Sequence, residues 1–151
     1  MKKLISIVLT FVLVVAGSVN LCAFAKEAEL SSLAAIEYEY FEDGSYVITT
    51  LYQGERTRGT TSGSKTASYI NSSNVMVWSV TVYGEFSYTG YSSSATSASG
   101  NVKIYVTGAS LVSSQSYTSG SSAVAKATVL YQGEQIPRNV ILTCDRNGVL
   151  S

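Results

Sequence analysis

The sequence contains no histidine and a single proline, Pro137, and charged residues make up only 13% of its 151 positions. Without histidine, the chain cannot form a Ser-His-Asp or Cys-His catalytic arrangement, and it lacks the commonest metal ligand. A G-x-S-x-G nucleophile motif is also missing. These absences argue against an enzyme, against catalytic residues and against a cofactor or a zinc site.

Charge is scarce and also balanced, with ten basic and ten acidic residues. Nucleic-acid-binding domains carry a basic face that neutralises phosphates, and the composition shows no such excess. The acidic residues Glu37, Glu39, Glu42 and Asp43 lie close together but lack the spacing of a known calcium loop, so we interpret them as part of a solvated strand face. We therefore expect neither a nucleic acid nor a metal ion as a partner.

The N-terminus has the parts of a secretory signal peptide. Lys2 and Lys3 precede a short apolar run over residues 4–15, and the sequence Ala-Phe-Ala ends at Ala25. The run is shorter than the about 20 apolar residues that cross a bilayer. We expect residues 1–25 to be removed, leaving a secreted protein without a membrane span, either extracellular or loosely associated with the cell surface. An uncleaved membrane anchor is the alternative.

Cysteine is nearly as scarce as proline. Cys22 falls within the predicted signal peptide, which leaves Cys144 as the single thiol of the mature chain. One cysteine cannot form an internal disulfide, so we predict none, with a bridge between two chains as the alternative. Val140, Leu142 and Cys144 alternate along one predicted strand face, so Cys144 is predicted to be a small buried hydrophobe.

Most of the chain alternates β-branched or aromatic residues with Ser and Thr, a pattern typical of strands. Asp43-Gly44 predicts a tight hairpin turn, and one buried face is predicted to hold Met76, Trp78, Val80 and Val82. The polar segment 56–68 is interpreted as an exposed edge or a loop, and 26–35 as an N-terminal arm or a short helix. Over 36–151 we predict an all-β domain, a single antiparallel β-sandwich that is immunoglobulin-like in its layers, with about seven to nine short strands.

The pentapeptide Leu-Tyr-Gln-Gly-Glu occurs twice, at residues 51–55 and 130–134. In the simplest interpretation two strands end in similar turns, with Gly54 and Gly133 at positive φ. A second hypothesis brings the two Tyr-Gln tips together at one end of the sandwich as a binding patch. That predicted patch consists of Tyr52, Gln53, Tyr131, Gln132 and Arg138.

Three segments that follow the signal peptide, "GSKTASY", "VWSVTVYGEFSYTG" and "VILTCDRNGVLS", are arranged around a Ser/Thr run. In this order they resemble a group of uncharacterised, small, secreted, Ser/Thr-rich β proteins of Gram-positive bacteria. The resemblance covers roughly residues 58–151. It implies that relatives carry a second cysteine near the position of Thr96, paired with the cysteine of "LTC", and that this chain lacks the bridge. It implies no catalytic residues.

Three functional hypotheses remain open. We expect a non-enzymatic extracellular domain that acts at the cell surface through contact with a protein or a cell-wall glycan. The alternative is a secreted bacteriocin-like effector that acts on competing cells, and a hydrolase is the weakest hypothesis. For glycan contact, one candidate is a stacking surface for sugar rings formed by the tyrosines Tyr83, Tyr88, Tyr91 and Tyr105.

Overall fold

The computed structural model describes residues 32–151, which form eight antiparallel strands in two sheets and contain no helix. The predicted all-β sandwich is therefore confirmed in its class, its layers and its number of strands. The predicted signal peptide, 1–25, and residues 26–31 of the predicted arm lie outside the described residues. Nothing between residues 32 and 151 forms a helix long and apolar enough to cross a membrane.

Each sheet is a simple meander of consecutive strands. The five-stranded sheet contains, in order, β1 (Ser32–Tyr40), β2 (Tyr46–Thr57), β3 (Thr60–Ile70), β4 (Met76–Tyr88) and β5 (Ser93–Ile104). The three-stranded sheet contains β6 (Ala109–Ser119), β7 (Ser122–Tyr131) and β8 (Glu134–Thr143). The predicted Asp43-Gly44 turn joins β1 to β2, with Gly44 at a φ of 81°.

The core lies between the two sheets and is built by period-two alternation. Trp78, Val80 and Val82 of β4 are almost fully buried, as predicted, and belong to the same apolar cluster as Val129 of β7 and Leu142 of β8. Each fully buried side chain of this size stabilises the fold by about 1.5–3 kcal/mol. The outward faces carry many Ser, Thr and Tyr residues, although Leu111, Leu130 and Ile141 are also exposed.

The register between β3 and β4 corrects one core prediction. A β-bulge lies between Tyr69 and Ile70, so that Tyr69 pairs with Trp78 but Ile70 pairs with Met76. The extra residue, Val77, is buried, and Met76 is turned to the outer face and is exposed. The prediction that Met76 belongs to the buried face is wrong because a bulge reverses the alternation at that point.

Two predicted boundaries also change. Residues 32–35, which the sequence assigns to an arm or a short helix, are part of β1, and Ser32 pairs with Gln53. The ladder to β2 overrides their local helical propensity. The segment 56–68 is not an edge or a loop, because most of it forms β3, the central strand of its sheet. Its outward positions are Ser and Thr, so a count of apolar residues misses it.

Candidate functional site

The two copies of the pentapeptide have different structures. The first lies inside β2, where a bulge sets Gly54 and Glu55 opposite Ser62, and Gly54 does not adopt a positive φ. The second forms the hairpin between β7 and β8, with Gln132 at a φ of 54° and Gly133 at 81°. Two positive φ angles are the signature of a type I′ turn. The prediction of two similar turns is therefore wrong for the first copy.

The two tips lie at opposite ends of the sandwich. Tyr131 packs against Tyr69, with ring centroids 6.3 Å apart, and Tyr69 pairs with Val47 of β2. Gln53 lies about 20 Å further along β2, at a rise of about 3.4 Å per residue. There its amide donates a hydrogen bond to the Gly148 carbonyl at 3.1 Å. The five residues of the predicted patch therefore do not form one surface.

Four of those five residues have structural contacts, and one of these is the bond that the Gln132 amide donates to the Tyr131 hydroxyl at 3.3 Å. The Gln53 amide donates its hydrogen bond to Gly148, in the turn that follows β8. Arg138 of β8 forms an ion pair with Glu39 of β1, with Nη2 and Oε2 2.5 Å apart, and so connects the two sheets. The Tyr131 hydroxyl accepts a hydrogen bond from the Asn71 amide at 3.2 Å. Of the predicted patch, Tyr52 is the residue that leads to a candidate site.

Tyr52 is one wall of a groove on the outer face of the five-stranded sheet. Tyr52, Ser64 and Tyr83 are directly paired neighbours on β2, β3 and β4, so the two tyrosines stand on either side of a serine. Two interstrand spacings place their backbones about 10 Å apart. Their exposed fractions are 36% for Tyr52 and 48% for Tyr83. Strand side chains stand roughly perpendicular to the sheet, so both rings project outwards.

Small residues make the groove between these walls. Its volume is about 280 Å³, and its remaining lining consists of Gly54, Ser62, Gly63, Gly84, Glu85, Ser97 and Ser99. A Cβ atom at Gly54 would lie 2.7 Å from the Ser62 hydroxyl oxygen, so glycine permits the close approach of β2 to β3 at the bulge. The groove is thus open because its floor lacks bulk.

The lining combines apolar walls with a polar floor. Backbones about 10 Å apart leave room for one flat ring between the two side chains, since each ring-to-ring contact needs about 3.5–4 Å. Each serine hydroxyl donates one hydrogen bond and accepts others, and Glu85 adds an acceptor. Among the described residues that line the groove there is neither Lys nor Arg. The arrangement suits a neutral, hydroxyl-rich ring better than an anion.

A larger cleft, of about 480 Å³, lies on the other side of the same sheet. It is lined by inner-face residues of β1 to β3, such as Leu51 and Lys65, and by Ile141, Val149 and Leu150. Aliphatic and polar residues line it in equal number, and no aromatic ring lines it. We favour the smaller groove as the functional site because an exposed tyrosine stands on either side of several hydroxyl groups.

The four tyrosines predicted as a stacking surface are dispersed. Tyr83 lines the groove, and Tyr105 lies beside Ser79 on the same outer face, with the two hydroxyl oxygens 3.2 Å apart. Tyr88 lies under the Arg56 guanidinium, 5.5 Å from ring centroid to Cζ. Tyr91, in the turn between β4 and β5, is 93% exposed. The four tyrosines therefore do not form one surface, but Tyr83 lines the groove.

Sequence reasoning missed the floor of the groove, although a signal for it exists. In β3 a hydroxyl side chain recurs at every second position: Thr60, Ser62, Ser64, Thr66 and Ser68. Such a period of two indicates a strand with one polar face as clearly as an apolar alternation does. The pairing of this strand with Tyr52 and Tyr83 is a long-range feature that local sequence does not contain.

Cys144 is buried, as predicted, at 1% exposure. Its burial raises the pKa of the thiol above the usual range, and the nearby Asp145 carboxylate adds to the increase while Arg56 opposes it. Thr96, the position implied by the resemblance for a second cysteine, is exposed. Cys144 is thus a core residue and not a nucleophile of the candidate site.

The acidic residues near the first hairpin do not converge. Glu39 is paired with Arg138, and Asp43 accepts hydrogen bonds from the backbone and hydroxyl of Ser45. Between residues 32 and 151 no three His, Cys, Asp or Glu side chains are grouped closely enough to hold a metal ion.

We compared the chain with protein-family models, with curated proteins and with solved structures, and none of them matches it.

Proposed function

We propose that the protein is a secreted, non-enzymatic domain that binds a neutral glycan at the cell surface through the groove between Tyr52 and Tyr83. The observation that carries this proposal is the pair of exposed tyrosines on either side of a floor of serine hydroxyls. Aromatic faces pack against the C–H faces of a sugar ring, and the hydroxyl floor bonds its polar rim.

The charge of the groove supports a neutral ligand. Glu85 is the one charged residue of its lining, so a polyanionic glycan would meet a carboxylate and no compensating cation. The same observation favours binding over hydrolysis, because most glycoside hydrolases use a pair of carboxylic residues at the scissile bond. A single carboxylate beside the groove provides an acceptor for a sugar hydroxyl.

Co-sedimentation with insoluble polysaccharide tests the proposal. The probes are chitin and cell-wall sacculi freed of protein and teichoic acid, and the protein is the chain from Lys26 onwards. We expect the wild-type protein to sediment with at least one probe. Truncation of an anchoring tyrosine typically costs about 2 kcal/mol or more of binding free energy, so Tyr52→Ala and Tyr83→Ala should each weaken binding about thirtyfold or more.

Tyr91→Ala is the matched control, because Tyr91 is an exposed tyrosine outside the groove. It should bind like the wild-type protein. Equal binding by all three variants would contradict the proposal, as would absence of sedimentation with both probes. Retention on whole cells that protease treatment of the cells abolishes would point instead to a protein partner.

A further inference from the structure

The groove is one end of a longer trough that follows β3. Because β3 is central in its sheet, β2 and β4 flank it along its length. Its outward positions from Ser62 to Ser68 carry only Ser and Thr, whereas β2 presents larger side chains at the paired outward positions. On β2 these are Ile48 and Tyr52, with Thr50 between them, and Tyr46 follows at the pair with Ile70. The floor is therefore lower than the β2 wall over several residue pairs.

A second group of tyrosines lies at the other end of this trough. Tyr46 pairs with Ile70 at the end of β3, and its hydroxyl donates to the Asn74 amide oxygen at 2.5 Å, which fixes the ring. The Tyr46 ring is 5.5 Å from that of Tyr40, which stacks on Tyr38. Across the trough, Tyr105 stands beside Ser79, the β4 partner of Ser68.

The separation of the two ends sets the size of the ligand. Ser64 pairs with Tyr52 at the first end and Ile70 pairs with Tyr46 at the second, and six residues of strand span about 20 Å. The space between them is floored by the Thr66 hydroxyl, whose oxygen is 2.8 Å from that of Thr81. A single sugar ring contacts only one end, whereas an unbranched chain lying along β3 contacts both.

We infer that the ligand is a linear polysaccharide, bound along its length over β3 from the Tyr52–Tyr83 pair to Tyr46. This inference rests on the proposed function and specifies its ligand class: the interior of an unbranched neutral chain rather than a terminal sugar. A chain end or a branch point would leave one group of tyrosines without contact.

Calorimetric titration with N-acetylglucosamine oligomers, from the monosaccharide to the hexasaccharide, tests the inference. We expect affinity to rise with length and the hexasaccharide to bind about tenfold or more tightly than the disaccharide, since it alone reaches a second tyrosine anchor. Ser68→Trp fills the trough between its ends. It should abolish this gain with length while leaving the affinity for the disaccharide unchanged.

Tyr46→Ala should have the same effect as Ser68→Trp, and the trough-filling variant keeps the test valid if loss of Tyr46 disturbs the fold. Tyr117→Ala, on the outer face of the other sheet, is the control and should retain the full dependence on length. Affinity that is independent of length but lost in Tyr52→Ala would overturn the inference and leave the proposed function intact. Absence of binding at every length would overturn the inference, and absence of sedimentation with both polysaccharides as well would overturn the proposed function.

Discussion

At the scale of single residues, Asp145 organises the turn that follows β8. Its Oδ1 accepts hydrogen bonds from the backbone N–H groups of Asn147 and Val149, both at 2.8 Å. The bond from Val149 is the main cause that holds the pKa of this carboxyl below its usual range, and the charges of Arg56 and Arg146 act in the same direction. The ionised carboxylate is therefore the form that the folded protein prefers.

This preference predicts a pH dependence. A carboxyl whose pKa is lower in the folded than in the unfolded state stabilises the fold above its ordinary pKa of about 3.9. The stabilisation is lost as the pH falls from that value through the lower folded pKa. We expect Asp145→Asn to reduce the free energy of unfolding at pH 7, and the difference from wild type to shrink as the pH is lowered below about 4. Urea titrations followed by Trp78 fluorescence measure both quantities.

Glu42→Gln provides the control for that titration. Glu42 is an exposed carboxyl in the first hairpin turn and, within the described part of the chain, accepts no hydrogen bond. Its substitution should change stability little at either pH. A difference between wild type and Asp145→Asn that stays constant from pH 7 to pH 3 would show that the charge of Asp145 does not stabilise the turn.

At the scale of elements, the repeated pentapeptide shows that tertiary pairing selects the local structure. Gly133 needs its positive φ for the type I′ turn, and no atom lies within 4 Å of the position that a Cβ would occupy. Gly54 has the opposite constraint, since its backbone is extended and a Cβ would meet the Ser62 hydroxyl at 2.7 Å. The same residue is thus required for its backbone freedom in one copy and for its small size in the other.

Asparagine separates these two requirements, because it tolerates positive φ but brings a Cβ and an amide. We expect Gly133→Asn to change the free energy of unfolding by less than about 1 kcal/mol. Gly54→Asn should be clearly destabilising, by about 1–3 kcal/mol, because it overpacks the bulge between β2 and β3. Chemical denaturation of the two variants compares the two copies of one sequence directly.

A larger loss for Gly133→Asn than for Gly54→Asn would contradict this account of the two glycines. Gly133→Val serves as a positive control for backbone strain, since a β-branched residue at this φ is strongly disfavoured. It should be less stable than Gly133→Asn although the space around the position is open.

Local sequence patterns predict some of these elements and not others. The alternation around Trp78 and the Asp43-Gly44 turn are local signals, and they predict β4 and the first hairpin correctly. The structure of residues 51–55 depends on β3, whose own hydroxyl alternation resembles a loop when only apolar residues are counted. The Tyr52–Tyr83 groove needs the register of three strands, which no local pattern specifies.

At the scale of the whole molecule, the two sheets are joined by the residues that follow β8. Leu150 is buried between the sheets, and the site of a Cβ on Gly63 of β3 is occupied by its side chain. Ser151 and Thr143 exchange backbone hydrogen bonds at 2.9 Å, which adds a short pairing to the edge of β8. The packing of Leu150 against Gly63 was not predicted from the sequence, because no local pattern indicates a contact between residues so far apart in the chain.

The burial of Leu150 between the sheets predicts a large loss of stability when its side chain is truncated. Leu150→Ala removes a buried side chain at a position where the surrounding strands cannot collapse fully, so we expect a loss of about 2–5 kcal/mol in the free energy of unfolding. Val149→Ala is the matched control, since Val149 is the adjacent residue and is 48% exposed, and it should cost about 0.5 kcal/mol or less.

The groove lies on the outer face and Leu150 on the inner one, so the folded fraction of Leu150→Ala should still sediment with the glycan that the wild-type protein binds. Denaturation curves and sedimentation therefore separate stability from binding in one variant. Equal stabilities of Leu150→Ala and Val149→Ala would show that the residues after β8 do not hold the sheets together. A stable Leu150→Ala variant that has lost binding would show that the groove depends on the inner face, contrary to the geometry of β3.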